Sequence, residues 1–342
     1  MADTSDDRRP THLSPSELGT KEYWEIFYSR TLTHISSKPH TSADPSVEVP
    51  QISTSDNEAS EEDDDYNADS DPGTSWFSEH NAPQKVLSFL TRDTFPLAPC
   101  NTFPTEKRTK RKAATRPALS AEEQSTQPSI LDLGTGNGSM LALLRKRGGF
   151  RGTMVGVDYS GKSVELAREL QRSRRHEAYL SDSDDDDEYY GSEGEGEHDT
   201  GAEAEREDEE WQEIRFEEWD ILNCGADLQT QKLDWFPYVN GGFDIVLDKG
   251  TFDAVSLMVE KNQCERYPRI AADLVRKGGF LVVTSCNWTE DELVKWFTAP
   301  TTTGASDSDS AKLAVWGRVQ YPRFRFGGQE GQGVCTVCFQ RV

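Results

Sequence analysis

The sequence lacks any apolar run of the ~20 residues that a membrane-spanning helix needs. Its first residues, MADTSDDRRPTH, contain no apolar segment after their charges, so they do not resemble a secretory signal peptide. The chain has six cysteines in 342 residues, and four of them, Cys100, Cys224, Cys264 and Cys286, are far apart in sequence. This spacing suits neither a disulfide framework nor a zinc framework. We expect a soluble protein of a reducing intracellular compartment, without membrane insertion.

Positive charge is scarce in two segments of the chain. The sequence has 61 acidic side chains against 37 lysines and arginines, and its formal net charge is −24. Residues 181–210 and 44–71 carry −15 and −11, which leaves the remainder near neutral at about +2. The remainder shows no basic pattern interleaved with aromatics, so we expect no nucleic-acid partner. The basic run Lys107–Arg116 can be a nuclear-import signal or a nucleic-acid arm, but we favour a solvated linker.

Segments that are poor in aromatics and rich in Ser, Asp, Glu, Thr or Pro predict disorder around a single ordered domain. The predicted boundaries are a disordered tail at 1–13 and one domain at 14–342 with inserts at 36–72, 97–127, 174–210 and 299–311. The acidic inserts are either plain solvated segments or a means of attracting a lysine-rich substrate over long range. We favour the first interpretation.

Short apolar segments alternate with amphipathic helical patterns from Ser129 onward. The predicted strands are 130–133, 154–158, 214–216, 243–247 and 279–284, followed by a hairpin of 321–326 and 334–339. Strands that alternate with helices at this spacing favour parallel pairing. We therefore predict an α/β fold with a seven-stranded, mostly parallel sheet, helices on both faces and a C-terminal antiparallel hairpin. This Rossmann-like arrangement resembles the sheet of class I methyltransferases.

A glycine-rich segment, Asp132 to Gly138, joins the first predicted strand to a helix. A dinucleotide fingerprint, GxGxxG, would need glycine at position 139, which is a serine. The carboxylate of Asp132 would repel a pyrophosphate but suits the amino group of a methionine moiety, which predicts S-adenosylmethionine as the cofactor. The cofactor-binding residues predicted here are Asp132, Gly134, Thr135, Gly136, Asn137 and Gly138. The alternative is a turn that merely joins strand to helix.

Two more carboxylates follow the next predicted strands. Asp158 ends the second strand and can accept hydrogen bonds from both ribose hydroxyls, while Tyr159 can lie against the adenine. Helix capping is the alternative for Asp158. Asp220 follows the third strand, where it could accept from the adenine amine beside Ile221, or could belong to a simple polar loop.

Asp248 and Thr251 follow the fourth predicted strand, the edge from which an acceptor is normally approached. The Asn/Asp-Pro-Pro-Tyr/Phe motif, which holds a planar amide or aminopurine, is missing, and its absence favours a flexible aliphatic amine as acceptor. An amine must lose its proton and be aligned before it attacks a methyl carbon. Asp248 is the predicted catalytic residue that orients it. The alternative is a cap at the strand end formed with Thr251.

These motifs resemble one family. LGTKEYW at 18–24, Trp76-Phe77, LDLGTGNG at 131–138, GVDYS at 156–160, DKGTFDAVSL at 248–257, TSCNWT at 284–289 and FRFGG at 324–328 are similar to the elongation factor 1-alpha lysine methyltransferases of the fungal Efm4 type. The match runs from about 14 to 340 apart from the inserts, which depart from the family in length and charge. DKGT is shared with neighbouring protein-lysine methyltransferases, so it supports a lysine acceptor better than it supports one substrate.

The resemblance implies a cytoplasmic enzyme, with a nuclear fraction if the basic run is an import signal. It would add one or two methyl groups to a lysine of elongation factor 1-alpha, and the family is also linked to vesicle transport. The alternatives are a non-catalytic adaptor on the same fold and a methyltransferase for another protein, a nucleic acid or a small amine. We expect a monomer that binds a protein substrate.

Further substrate-binding residues follow from the resemblance and from position. Trp24, Trp76 and Phe77 carry over as walls of a lysine channel, because aromatic faces attract an alkylammonium; core packing is the alternative. Asn287 and Trp288 lie past the fifth strand and would contact the substrate or anchor a loop. Cys335 and Cys338 point to opposite faces of a strand, so no metal site is predicted.

Overall fold

The computed structural model describes eleven stretches of the chain. They are residues 10–37, 77, 80–105, 119–174, 177–179, 213–223, 232–299, 311–322, 324–326, 329–331 and 333–342. The helices are α1 (Lys21–Ser37), α2 (Ala82–Thr91), α3 (Pro99–Thr102), α4 (Ala121–Ser125), α5 (Ser139–Lys146), α6 (Gly161–Ser173), α7 (Thr251–Ser256), α8 (Lys261–Leu274) and α9 (Glu290–Thr298). Short 3-10 turns lie at Glu17–Gly19, Glu177–Tyr179 and Tyr238–Asn240.

Seven strands form the main sheet, and two more form a small ribbon. The strands are β1 (Ile130–Leu133), β2 (Met154–Asp158), β3 (Arg215–Glu218), β4 (Phe243–Lys249), β5 (Val275–Ser285), β6 (Leu313–Val319), β7 (Phe324–Phe326), β8 (Gln329–Gly331) and β9 (Cys335–Arg341). The sheet order is β3-β2-β1-β4-β5-β9-β6. The first five strands pair in parallel, and β9 pairs antiparallel with both β5 and β6. The predicted fold class, with its terminal hairpin, is confirmed.

Helices cover both faces of the sheet because its central strands are apolar on both sides. Ile130 of β1 belongs to one buried cluster, and its neighbour Leu131 belongs to the other. Every residue of β1 and β2 is buried, as expected for parallel strands between two helical layers. Polar side chains at the carboxyl ends of these strands are therefore the groups that can meet a ligand.

The first strand of the hairpin was predicted wrongly. It is Leu313–Val319, not 321–326, and it pairs with β9 through a bulge between Val315 and Gly317. Phe324–Phe326 pairs instead with Gln329–Gly331 in the separate ribbon. The half-exposed side chains inside β6 weaken its hydrophobic alternation, which is why its sequence did not identify it as a strand.

The predicted tail and inserts need correction at their edges. Leu13 packs against the core, and the buried Tyr179 belongs to the 3-10 turn inside the predicted insert 174–210. Both ends of the insert 97–127 carry helices, α3 and α4, and the Thr102 hydroxyl lies 3.0 Å from Gln127 Oε1. Residues 36–37 belong to α1. The acidic segments 44–71 and 181–210 and the whole basic run Lys107–Arg116 lie outside the described residues.

Cys335 and Cys338 are both buried, one in each hydrophobic cluster, so they face opposite sides of the sheet as predicted. Among the helices of the described ranges, none combines the length and apolar character that a membrane crossing needs.

Candidate active site

A loop with three glycines in the left-handed region connects β1 to α5. Gly134, Gly136 and Gly138 have φ angles of 59°, 58° and 75°. A Cβ atom on Gly134 would lie 2.2 Å from Thr251 Oγ1, so a side chain here would collide with the start of α7. A Cβ on Gly138 would lie 2.6 Å from the Phe216 ring, so this glycine allows core packing rather than ligand contact. Glycine is therefore required at position 134 to let α7 approach and at position 138 to leave room for the Phe216 ring.

A cavity opens above the carboxyl ends of β1, β2 and β4. Ten of the residues predicted for the site line it: Trp24, Phe77, Gly134, Thr135, Gly136, Asp158, Tyr159, Asp220, Ile221 and Thr251. Six other predicted residues lie outside its lining: Asp132, Asn137, Gly138, Asp248, Asn287 and Trp288. Trp76 is outside the described residues. The cavity thus joins most of the predicted cofactor residues to two of the predicted aromatic walls.

Asp158 lies at the end of β2 with its carboxylate in the cavity wall. Its Oδ2 accepts from Gly136 N at 3.1 Å and from Ser163 Oγ at 2.7 Å, and its Oδ1 accepts from Ser160 N at 3.0 Å. Burial raises the pKa of this carboxyl, while the three hydrogen bonds oppose that shift. Each carboxylate oxygen accepts up to two hydrogen bonds, so Oδ1 keeps capacity for a ligand hydroxyl. Ser160 caps α6, as predicted, by accepting from Ser163 N.

The residues after β2 and β3 form one end of the cavity. The Tyr159 hydroxyl donates to Thr20 O at 3.1 Å, which fixes the ring in the cavity wall. Asp220 Oδ1 accepts from Leu222 N at 2.9 Å, so this carboxylate organises a turn while it also lines the cavity. Trp219 lines the same end and was missed, although it directly precedes Asp220. An aromatic and aliphatic pocket with carboxylates in its wall suits a nucleoside.

Asp132 does not line the cavity itself, but it is hydrogen-bonded to Thr135, which does. Its side chain is 2% exposed, and Oδ2 accepts from Thr135 Oγ1 at 2.9 Å. Thr135 is its one hydrogen-bond donor among the described residues. Burial raises the pKa of Asp132 to about 6, against the opposing effect of the Lys249 ammonium. A ligand amine would supply the positive charge and the donors that this buried carboxylate lacks.

S-adenosylmethionine fits these features. The glycine loop leaves backbone in the cavity wall, Asp132 is a buried carboxylate with little hydrogen bonding, and Asp158 retains acceptor capacity. Asp132 would hold the amino group, Asp158 the ribose hydroxyls, and Tyr159 with Trp219 the base. Asn137 does not reach the cavity, because its Oδ1 accepts from Ser139 N at the start of α5.

Asp248 does not line the cavity, contrary to the prediction that it holds the acceptor amine. It is 1% exposed, and Oδ1 accepts from Thr251 N and Phe252 N at 2.9 and 3.1 Å. Tyr267 donates its hydroxyl to Oδ2 at 2.7 Å. Burial raises the pKa of Asp248 to about 7, and the hydrogen bond from Tyr267 opposes that shift. These contacts match the alternative interpretation of Asp248, in which its carboxylate caps the backbone after the strand together with Thr251.

Thr251 and the loop after β5 are positioned by neighbouring acids. Thr251 Oγ1 donates to Leu133 O at 2.6 Å, which ties α7 to the end of β1. Asp253, which was missed, is fully buried and accepts from Ser285 Oγ at 2.5 Å and from Cys286 N at 2.9 Å. The sequence feature that could have identified Asp253 is its place in the motif DKGTFDA. The Asp253 carboxylate of α7 therefore holds the loop after β5 in place.

Trp288 anchors that loop in the core. Its ring stacks on Phe252 at 6.1 Å between centroids and packs against Trp296. The neighbouring Asn287 is half-buried, and its Nδ2 atom has no hydrogen-bond partner among the described residues. The loop-anchor interpretation therefore describes Trp288, while Asn287 keeps an unused donor.

Helix α1 forms the side wall of the cavity. Trp24 and Tyr28 of this helix line the cavity, and their rings stack at 5.9 Å between centroids. The Glu25 carboxylate accepts from Gly161 N at 2.9 Å, which fastens α1 to the first residue of α6. Phe77 also lines the cavity, and its ring centroid lies 5.3 Å from Lys249 Nζ. Lys249 and Tyr28 were missed, although Lys249 stands inside the DKGT motif.

Comparison with known proteins is consistent with this geometry. A family model described as a methyltransferase domain matches residues 125–181, which include the glycine loop and β2. Protein-lysine N-methyltransferase EFM4 of Saccharomyces cerevisiae is 28% identical, with 96% of each chain covered. Its Schizosaccharomyces pombe counterpart, efm4, is 26% identical over 96% of this chain and 95% of its own. Human EEF1A lysine methyltransferase 2 is 23% identical over 96% of this chain and 88% of its own. The similarity therefore extends well beyond the cofactor loop.

Proposed function

Since the chain is an S-adenosylmethionine-dependent methyltransferase of the class I fold, related along almost its whole length to the Efm4-type protein-lysine methyltransferases, we propose that it methylates a lysine of translation elongation factor 1-alpha. One observation supports a lysine as the methyl acceptor: the aromatic rings of Trp24, Tyr28 and Phe77 line the same cavity as the glycine loop. Aromatic faces attract an alkylammonium. A lysine side chain and a methyl donor would therefore meet in one cavity.

The cofactor, when bound, supplies an electrophilic methyl group. The protein's part is to exclude water, align the amine and leave its lone pair free, because alignment contributes most of what such a transfer needs. Trp24 and Phe77 would form the channel walls, and Thr251 would close the channel at the end of β1. Asp248 acts here as a positioning residue, because it holds the backbone of Thr251 and Phe252.

Asn287 is the proposed contact for the protein substrate outside the cavity. Its Nδ2 donor is buried without a partner among the described residues, although it lies on a loop at the substrate edge of the sheet. An unpaired buried donor costs free energy that a bound carbonyl would recover. Trp288 contributes indirectly by anchoring the same loop.

The test is transfer of labelled methyl from S-adenosylmethionine to purified elongation factor 1-alpha. We expect the label on one lysine, as mono- and dimethyllysine, located by mass spectrometry of the product. Gly136→Val should abolish labelling together with cofactor binding. Trp24→Leu should keep cofactor binding and raise the KM for the protein several-fold, because it removes an aromatic face from the channel.

Phe27→Leu is the matched control, since Phe27 lies on the same helix and packs against the core without lining the cavity. An unlabelled elongation factor, with cofactor binding intact, would refute the proposed substrate. Label on an arginine, a histidine or the N-terminal amine would refute the lysine. The role in vesicle transport stays a prediction of the resemblance alone.

A further inference from the structure

A single cation faces the cavity in the part of the chain that the structure describes. Among the lining residues, Lys249 is the one lysine, arginine or histidine, whereas Asp158 and Asp220 are acidic. Lys249 is the last residue of β4, and its side chain is half-buried in the wall. A cation in an otherwise acidic and apolar lining needs an explanation.

No carboxylate of the described residues forms a salt bridge with Lys249, whose ammonium instead lies against the ring of Phe77. Its Nζ atom lies 5.3 Å from the centroid of Phe77, a distance at which the ring attracts the ammonium. The ring thus holds the amine against the cavity wall without satisfying its three N–H donors. Those donors are available to an anion in the cavity.

Lys249 and Asp132 lie on the same side of the sheet on neighbouring strands. Asp132 pairs with Leu247, so Lys249 is the next residue of β4 whose side chain points the same way. The lysine charge acts on the buried carboxylate, since it lowers the pKa of Asp132 against the effect of burial. One negative and one positive group therefore lie on the same side of the sheet near the ends of β1 and β4, and the positive one lines the cavity.

We propose that Lys249 binds the carboxylate of the cofactor's methionine moiety, while Asp132 binds its amino group. The two side chains then match the two charges of one amino-acid zwitterion. The inference rests on S-adenosylmethionine as the cofactor and does not depend on which protein is methylated.

The experiment compares cofactor-site ligands with and without the amino-acid group. We would measure, by calorimetry, the binding of S-adenosylhomocysteine and of 5′-methylthioadenosine, which lacks the amino-acid carboxylate. Lys249→Met should weaken S-adenosylhomocysteine about tenfold to a hundredfold, the range expected for a lost charge-assisted hydrogen bond. Its affinity for 5′-methylthioadenosine should stay within about twofold, because that ligand has no carboxylate to lose.

Lys85→Met is the matched control. Lys85 Nζ lies 5.1 Å from the Tyr321 ring centroid, in a similar contact with an aromatic face, but Lys85 does not line the cavity. This variant should leave both affinities unchanged. Lys249→Arg, which keeps the charge, should recover most of the affinity for S-adenosylhomocysteine.

Two results would overturn the inference. One is an unchanged affinity of Lys249→Met for S-adenosylhomocysteine, and the other is an equal loss for both ligands, which would mark a general effect on the cavity. If Lys249→Met does not fold, the wild type decides the matter. It should bind the carboxamide of S-adenosylhomocysteine at least about tenfold more weakly than the acid, and equal affinities would refute a carboxylate contact.

Discussion

Two buried aspartates lie one residue before the ends of neighbouring strands, yet their surroundings differ. Asp132 of β1 has one hydrogen-bond donor among the described residues, the cavity-lining Thr135. Asp248 of β4 accepts three hydrogen bonds, and like Asp132 it does not itself line the cavity. Burial raises the pKa of both carboxyls, to about 6 and about 7. A raised pKa at the functional edge therefore does not by itself identify a group that meets the ligand.

The direction of each side chain explains the difference. Leu133, not Asp132, pairs with Asp248, so the two carboxylates point to opposite sides of the sheet. One side carries Lys249 and Phe77, and the other carries α7, α8 and Tyr267. Asp132 has acceptor sites left for hydrogen bonds from a ligand, whereas the hydrogen bonds to Asp248 come from the protein itself.

The largest effect should come from Asp248→Ala. The substitution leaves the buried Tyr267 hydroxyl and two backbone N–H groups without their acceptor, so the free energy of unfolding should fall by about 3 kcal/mol or more. Denaturant unfolding measures it. Asp220→Ala, at a half-buried turn, is the control and should cost about 1 kcal/mol or less. Equal losses in the two variants would remove the structural role given to Asp248.

The pH dependence of stability should separate the isosteric variant Asp248→Asn from the wild type. The pKa of Asp248 is about 7 in the folded protein, above its usual value near 4. This carboxyl therefore stabilises the fold most below about pH 4, and that contribution is lost as the pH rises towards 7.

Between pH 5 and pH 7, the wild type should lose about 2 kcal/mol relative to Asp248→Asn, which carries no proton at this position to release. Unfolding curves of both proteins at the two pH values measure the difference. Because all other groups titrate in both proteins, a constant difference would mean that Asp248 does not change its charge in this range.

Asp132→Asn should act on the ligand rather than on the fold. The amide keeps one acceptor for a cofactor amine but loses the negative charge, so the Kd for S-adenosylhomocysteine should rise about tenfold. The free energy of unfolding at pH 8 should stay the same or increase, because a buried charge is removed. A stability loss as large as that of Asp248→Ala would show that both aspartates serve the fold.

The sequence was most informative where the chemistry is local. The glycine loop, Asp158 and the Ser160 cap each lie within a single strand-turn-helix unit, so their spacing predicted the loop and Asp158 at the cavity and Ser160 as the helix cap. The role of Asp248 was not predictable in this way, because Tyr267, the partner that completes it, is 19 residues further along the chain. Lys249 was missed, although it stands inside the DKGT motif, because the aspartate on its side of the sheet, Asp132, belongs to another strand.

Packing between distant elements explains what the sequence left open or missed. The sequence left Trp288 as either a substrate contact or a loop anchor, and its ring stacks on Phe252 of α7. Strand β6 was missed because its pairing with β9 depends on residues across the sheet more than on its own pattern. In both cases the deciding partner lies far away in sequence.

A third buried acid, Asp253, extends the comparison of Asp132 with Asp248 and should give the smallest effect. It holds the loop after β5 through Ser285 Oγ and Cys286 N, without lining the cavity. Asp253→Asn should lower the free energy of unfolding by about 1 kcal/mol, the usual net value of one hydrogen bond, and leave cofactor affinity unchanged. Hydrogen exchange at Cys286 and Trp288 should become faster, and the KM for the protein substrate should rise a few-fold because Asn287 loses its fixed position. Faster exchange with an unchanged KM would mean that this loop does not touch the substrate. A weaker cofactor affinity would mean that Asp253 serves the cofactor, as proposed for Asp132, and not only the fold, as inferred for Asp248.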